Sequence, residues 1–177
     1  EVIVGTILSG MFNDEKIDPV VIAQSGQFAE NVYFGKPCGL MDQMACSVGG
    51  MIHIDFKNPE EPVVEKVPSD FEAYQYSLCI VDTKASHADL TDDYAQIPAD
   101  MKAKFFKKNF LREVPEEEFY NQISAMRGLL GDRPVLRAIH FMEEETRVQK
   151  EVDSLKAGDF KGFLELVKES GNSSFKY

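Results

Sequence analysis

Apolar residues recur at helical spacing from the start of the chain. Ile3, Ile7 and Met11 share one helical face, and a second apolar set occupies the adjacent face: Val4, Leu8 and Phe12. An apolar surface this wide is typical of a helix that is buried on several sides. We therefore predict a buried first helix.

A second helix is predicted to begin at Asp18 and Pro19. Asp caps free backbone N–H groups, and Pro has no N–H to leave unpaired at the first helical position. This helix is expected to run to about Tyr33 and to stop at Gly35. Three of its residues are predicted to face inward: Ile22, Ala29 and Val32. A short third helix follows a loop and closes at Gly49.

Strand patterns are confined to the first half of the chain. Residues 51–56 alternate between apolar and polar side chains, with Ile52, Ile54 and Phe56 on one face, which predicts a half-buried strand. Residues 63–67 are predicted to return as the second strand of a hairpin. A central strand is predicted from Tyr74 to Thr83, around a continuous apolar run at 78–81.

The second half of the chain has helical periodicity. A stripe from Leu90 to Phe105 is expected to break at Pro98. Three glutamates after Pro115 predict a helix start, because anions suit the first turn. A long helix is predicted from Asp132 to about Gly158, and a final helix carries four apolar residues: Phe160, Phe163, Leu164 and Val167. These patterns predict an α+β protein with a boundary near residues 68–71.

The overall charge of the chain limits the classes of molecule that it is expected to bind. The chain has 177 residues, 19 Lys and Arg against 30 Asp and Glu, and a net charge of −11. This acidity disfavours a nucleic-acid surface, which needs clustered cations. No apolar run approaches the ~20 residues that span a bilayer, so we expect no membrane partner and a cytoplasmic location. The three cysteines have no metal-ligand spacing and suit a reducing compartment.

The 39–43 loop is the richest candidate for chemistry. Gly39 allows a close backbone approach to a ligand, and Asp42 lies where the loop becomes a helix. From the residues alone, Asp42 is either a helix cap or a catalytic base. Glu30, in the preceding helix, is either a solvated helical residue or a metal ligand.

Other candidates have simpler interpretations. Tyr94 belongs to an apolar stripe, so its ring is expected in a core, although its hydroxyl could line a pocket. Cys38 has no basic neighbour except Lys36 to lower its pKa, which argues against a nucleophile. His140 is expected to be a packed helix residue, because no Ser/His/Asp pairing is visible in the sequence.

Residues 36–43 read Lys-Pro-Cys-Gly-Leu-Met-Asp-Gln, and they resemble the P-C-G-[IL]-M-D-Q signature of galactokinases, in the GHMP small-molecule kinase superfamily. Ala29-Glu30 with Gly35 is similar to the run before that signature. Further matches lie in the long helices: Arg137-Ala138-Ile139-His140, Glu144, Arg147-Val148 and Gly158-Asp159. Glu169-Ser170 resembles the E-S-H close, but Gly171 stands where the family usually has His.

The resemblance implies a two-domain architecture. Residues 1–68 are expected to be the latter part of a domain like the second domain of ribosomal protein S5. Residues 69–177 are expected to begin a ferredoxin-like C-terminal domain, with the active site between the two. The family's N-terminal sugar motif with its catalytic Arg, its phosphate loop and its C-terminal Gly-rich motif have no counterpart here. We therefore expect an internal segment of a longer protein, inactive by itself.

The resemblance also implies residue roles. Asp42 is the catalytic carboxylate that faces the sugar's anomeric hydroxyl, and Gly39 offers its backbone to the sugar. Glu30 matches the Mg²⁺-associated glutamate, and Tyr94 the sugar-contacting tyrosine, although an Arg-rich run that usually follows is replaced here. ATP and Mg²⁺ are the implied cofactors.

The implied activity is transfer of phosphate from ATP to C1 of α-D-galactose. Two alternatives remain open from the sequence. One is a kinase for a related sugar such as N-acetylgalactosamine. The other is a galactokinase-like sensor that binds sugar and nucleotide to regulate transcription. No obligate protein partner is inferred.

Overall fold

The computed structural model describes residues 1–35, 37–82, 84, 96–97 and 103–177. The chain divides into two compact units, Glu1–Ser69 and Asp70–Tyr177. The mixed, helix-rich content with a small sheet is compatible with the predicted α+β class. The assignment of residues 1–68 and 69–177 to the two family domains stays a prediction.

The first unit contains three α-helices and one hairpin. Its elements are α1 (Val2–Asn13), α2 (Pro19–Phe28), α3 (Met41–Val48), β1 (Ile52–Asp55) and β2 (Val63–Lys66). A π-helix, Ala29–Phe34, continues α2 without a break. The core of this unit is a cluster of three buried residues, Ala23, Leu40 and Met44.

The start of α2 is formed as predicted. The Asp18 side chain accepts a hydrogen bond of 2.8 Å from the Val20 N–H, and Pro19 occupies the first turn. The π-helix that follows ends at Gly35, whose φ of 75° is in the left-handed region. The helical segment therefore stops where the sequence predicted, but its last six residues are wound as a π-helix.

The predicted hairpin is confirmed. β1 and β2 are antiparallel, with Ile52 opposite Lys66 and Asp55 opposite Val63. The alternating apolar residues of the hairpin pack on the Ala23, Leu40 and Met44 cluster: Ile52, Ile54, Phe56 and Val64. The alternation of apolar and polar residues therefore predicted correctly which face of the hairpin packs on the core.

The prediction that α1 is buried on several sides is wrong for this chain. Of its residues, only Ser9 is buried, while Ile3 and Phe12 are 74% and 77% exposed. Val32, predicted to face inward, is also exposed. Apolar periodicity shows which face needs a neighbour, and the described part of the chain covers only the side of α1 next to Gly5 and Ser9.

The second unit is helical. From residue 103 onward, its helices are α4 (Glu116–Asn121), α5 (Ile123–Leu130), α6 (Asp132–Lys156) and α7 (Phe160–Lys176), preceded by two short 3₁₀ turns. One core cluster is centred on Phe119 and Val135, and it includes five further buried residues: Leu111, Val114, Met126, Ala138 and Met142. The Phe160 ring contacts three aromatic rings from the start of the unit: Phe71, Tyr74 and Tyr76.

The predicted central strand from Tyr74 to Thr83 is not formed. Residues 76–82 have no regular structure, and Leu78, Ile80 and Val81 are 84%, 94% and 81% exposed. Thr83 lies outside the described residues. A strand needs a neighbour to pair its backbone groups, and the only sheet among the described residues is the β1–β2 hairpin.

The helix predicted from Leu90 to Phe105 lies mostly outside the described residues, and Phe105 itself is in a 3₁₀ turn, Ala103–Phe106. The helices predicted after Pro115, at Asp132 and at Phe160 are confirmed. No helix in the described ranges combines the length and the apolar character needed to cross a bilayer.

Replacement of Met44 by Ala should destabilise the first unit by about 2–5 kcal/mol, because it leaves a cavity in a closed core. Met41→Ala, on the same helix, is the matched control. Met44 is 0% exposed and Met41 is 61% exposed, so the control should change the free energy of unfolding by less than about 0.5 kcal/mol. Urea denaturation of the chain measures both, and equal effects would contradict this description of the core.

Candidate functional site

The candidate site is built around the loop that joins the π-helix to α3. Glu30 lies in the π-helix, Gly39 in the loop and Asp42 in the first turn of α3, so all three belong to the first unit. Tyr94, the fourth predicted site residue, lies outside the described residues. Single π-helical turns occur often at functional sites.

Side chains from the preceding helix hold the loop at Cys38. Asn31 bonds both backbone groups of this residue, because its Oδ1 accepts from the Cys38 N–H at 2.7 Å and its Nδ2 donates to the Cys38 carbonyl at 3.3 Å. Gln27 Nε2 donates to the same carbonyl at 3.2 Å. The loop position is therefore set by polar contacts to its backbone.

The Glu30 carboxylate meets two donors from outside its own helix. The Cys38 thiol donates to Glu30 Oε2 at 3.3 Å, and Gln43 Nε2 donates to the same oxygen at 3.0 Å. Gln43 Nε2 also lies 3.5 Å from Cys38 Sγ. These contacts join the π-helix, the loop and α3 at one point.

Cys38 is a hydrogen-bond donor in this arrangement. Burial, and then the hydrogen bond to the Glu30 carboxylate, raise the pKa of its thiol above the usual value. A raised pKa keeps the sulfur protonated, and a protonated thiol is a poor nucleophile. The geometry thus agrees with the sequence argument against a nucleophilic role for Cys38.

Asp42 is exposed and makes no hydrogen bond or ion pair with the described residues. The N-cap of α3 is Leu40, and no side chain caps that helix. The geometry therefore does not support a helix-capping role for Asp42. Its carboxylate lies in the first helical turn, where the helix dipole favours a negative charge.

Gly39 lies beside open space. Among the described residues beyond its two chain neighbours, nothing lies within 4 Å of a Cβ built on this glycine, and its backbone is not in the left-handed region. Neither crowding by these described residues nor backbone strain explains a glycine at this position. An approaching ligand would explain it.

The buried side chain of Gln43 has an unpaired acceptor among the described residues, which lowers the stability of the fold. It is 7% exposed, and its Oε1 is buried without a hydrogen-bond partner among the described residues. An unpaired buried acceptor costs about 1–3 kcal/mol. The side chain keeps this orientation while its nitrogen contacts Glu30 and Cys38.

Glu30 is the candidate ligand for Mg²⁺. Carboxylate oxygens are the protein ligands that Mg²⁺ prefers, and it commonly takes one or two of them together with substrate phosphates. Within the described ranges, no three His, Cys, Asp or Glu side chains are grouped around a point where a metal could bind. A single carboxylate such as that of Glu30 suits a cation whose other ligands are phosphates and water.

A second polar cluster, which the sequence analysis missed, joins α6 to α7. His140 Nδ1 lies 2.8 Å from Ser173 Oγ, and Ser173 also donates to Glu143 at 3.2 Å. Arg147 pairs with Glu143 and Glu144. Ser173 comes from α7, whereas the other members of the cluster lie on α6, so sequence spacing gave no signal of the pairing between Ser173 and His140.

This second cluster has the residue types of a catalytic triad but not the exposure. Ser173 is 5% exposed, so its hydroxyl is out of reach of a substrate. Burial lowers the pKa of His140 below its usual value. An adjacent cavity of about 200 Å³ is lined by Arg147, whose charge is already paired. The cluster holds two helices together.

The chain is similar to several galactokinases over most of its length. The chain is 30% identical over 162 residues to a galactokinase of Streptomyces coelicolor, which covers 88% of the chain and 40% of that relative. It is 31% identical over 164 residues to a galactokinase of Thermotoga maritima, with 92% and 43% covered. A galactokinase of Clostridium tetani is 28% identical, with 96% and 44% covered.

The resemblance that the 36–43 motif indicated is confirmed by these relatives, which are similar over nearly the entire chain. The chain spans about two fifths of their length. No family model matches the chain. No solved structure matches it.

Asn31→Ala should speed hydrogen exchange of the Cys38 backbone amide by about tenfold, because this side chain is the acceptor of that N–H and one hydrogen bond contributes about 0.5–1.5 kcal/mol. Gln27→Ala is the control, since it removes only a bond to the Cys38 carbonyl. Amide exchange followed by NMR measures both. Wild-type exchange in Asn31→Ala would show that the loop is held by something else.

Proposed function

We propose that this chain is a segment of a sugar kinase that transfers the γ-phosphate of ATP to the C1 hydroxyl of galactose. Its similarity to galactokinases over nearly its full length supports the kinase class. One structural observation carries the assignment of the site. An exposed carboxylate, Asp42, which has no hydrogen bond or ion pair among the described residues, lies at the start of a helix beside open space at Gly39.

Asp42 is the proposed catalytic carboxylate. Phosphoryl transfer depends on a positioned nucleophile and on charge stabilisation more than on covalent chemistry by the protein. An ionised carboxylate can accept the proton of the sugar hydroxyl, or orient that hydroxyl for in-line attack on the γ-phosphorus. Exposure at a helix start leaves the Asp42 carboxylate accessible to a sugar.

Gly39 is the proposed point where the backbone meets the sugar. The loop is held at the preceding residue by Asn31 and Gln27, so the backbone at Gly39 is presented in a fixed position. A side chain at position 39 would occupy the space that the sugar needs. Galactose is the proposed sugar because the relatives are galactokinases.

Glu30 is the proposed protein ligand of the Mg²⁺ that accompanies ATP. When bound, this cation would neutralise charge on the phosphates during transfer. The chain's own contribution is to present the Glu30 carboxylate in one orientation, which the Cys38 and Gln43 donors determine. Tyr94 remains a proposed sugar contact on the strength of the resemblance alone.

Asp42→Asn should lower sugar-dependent ADP release by about 10²–10⁴-fold in a protein of galactokinase length that contains this chain, because it removes the proton acceptor. Glu117→Gln is the matched control. It also converts an exposed first-turn acid into its amide, in α4 of the second unit, and it should leave the rate unchanged. Near-normal turnover by Asp42→Asn would refute the catalytic assignment.

Gly39→Ala should raise the KM for galactose by about tenfold or more in the same protein and leave the KM for ATP nearly unchanged, because the added Cβ reduces the space for the sugar. The fold should tolerate it, since that Cβ meets nothing within 4 Å. Gly128→Ala, equally open in α5, is the control. An unchanged galactose KM would show that the sugar does not approach Gly39.

A further inference from the structure

The contact at Glu30 has a feature that packing alone does not explain. We propose that Gln43, assisted by the Cys38 thiol, is a positioning residue that orients the Glu30 carboxylate for the divalent cation of the nucleotide. This inference rests on the proposed function, because it assumes that Glu30 meets a cation.

Both donors reach the same carboxylate oxygen from elements other than the π-helix. Gln43 Nε2, from α3, is 3.0 Å from Glu30 Oε2, and Cys38 Sγ, from the loop, is 3.3 Å from it. Two donors on one oxygen restrict rotation of the carboxylate about its last torsion. The orientation of Glu30 therefore depends on the position of the loop and of α3.

An energetic observation also supports the positioning role, and it concerns the side-chain oxygen of Gln43. Its Oε1 is buried with no hydrogen-bond partner among the described residues. An apolar side chain of similar size, such as Met, would fill the space without burying an unpaired acceptor. A buried group that lacks its partner requires an explanation, and residues that reduce stability are typical of functional sites.

A cation site is sensitive to this kind of support. Mg²⁺ demands near-ideal octahedral geometry. Residues that orient a metal ligand without touching the metal commonly change metal affinity by about 10–100-fold when they are replaced. Gln43 is suited to this role because it is 7% exposed and contacts the candidate ligand directly.

The test is Gln43→Met in the protein of galactokinase length, with binding of Mn²⁺ in the presence of ADP measured by electron paramagnetic resonance. We expect Mn²⁺ to bind at least about tenfold more weakly. The urea midpoint of unfolding should be equal to or higher than that of the wild type, because the unpaired acceptor is removed. A merely structural role would lower the midpoint instead.

A second set of variants uses Cys38. Cys38→Ala removes the thiol donor and should also weaken Mn²⁺ binding, while Cys38→Ser keeps a donor at that position and should restore most of the affinity. Cys46→Ala is the control, since this cysteine of α3 is free and exposed. It should leave Mn²⁺ binding unchanged.

The outcomes separate the two proposals. Unchanged Mn²⁺ affinity in Gln43→Met overturns the positioning role while the proposed function stands. Weaker binding accompanied by a lower unfolding midpoint overturns it as well, because it shows loss of structure. A wild-type protein that fails to bind Mn²⁺ with ADP contradicts the proposed role of Glu30, and the positioning role falls with it.

Discussion

The hydrogen-bonded contact between the π-helix and the following loop is the constraint on which the candidate site depends. Asn31 fixes the loop by its backbone at Cys38, and the same loop leads directly into α3. Beneath this polar contact, Leu40 and Met44 are buried against Ala23 of α2. Polar contacts and an apolar core therefore fix the start of α3, and with it the position of Asp42.

Asp42 and Gln43 are neighbours in α3, but their side chains have different surroundings. Asp42 is exposed and makes no hydrogen bond or ion pair with the described residues, which suits a group that meets a substrate. Gln43, the next residue, turns into the protein and contacts Glu30 and Cys38. Successive helical residues point about 100° apart, so a short helix can present a reactive carboxylate on one side while it holds a second carboxylate on the other.

Local chemistry predicted the parts of the fold that local forces determine. The Asp18 cap, the stop at Gly35 and the core face of the hairpin all depend on residues close in sequence, and each is formed. The buried α1 and the strand at 74–83 were wrong, since both depend on what covers an apolar segment. The role of Gln43 was also missed, because its contact with Glu30 joins different elements and becomes visible only in three dimensions.

Asp42 and Gly39 are proposed to belong to a site that phosphorylates galactose at C1. The most direct measurement is ³¹P NMR of the products formed from ATP and galactose by a protein of galactokinase length that contains this chain. We expect one new phosphate ester, coupled to the anomeric proton, and none when galactose is omitted. A phosphate on another carbon, or no sugar phosphate at all, would contradict it.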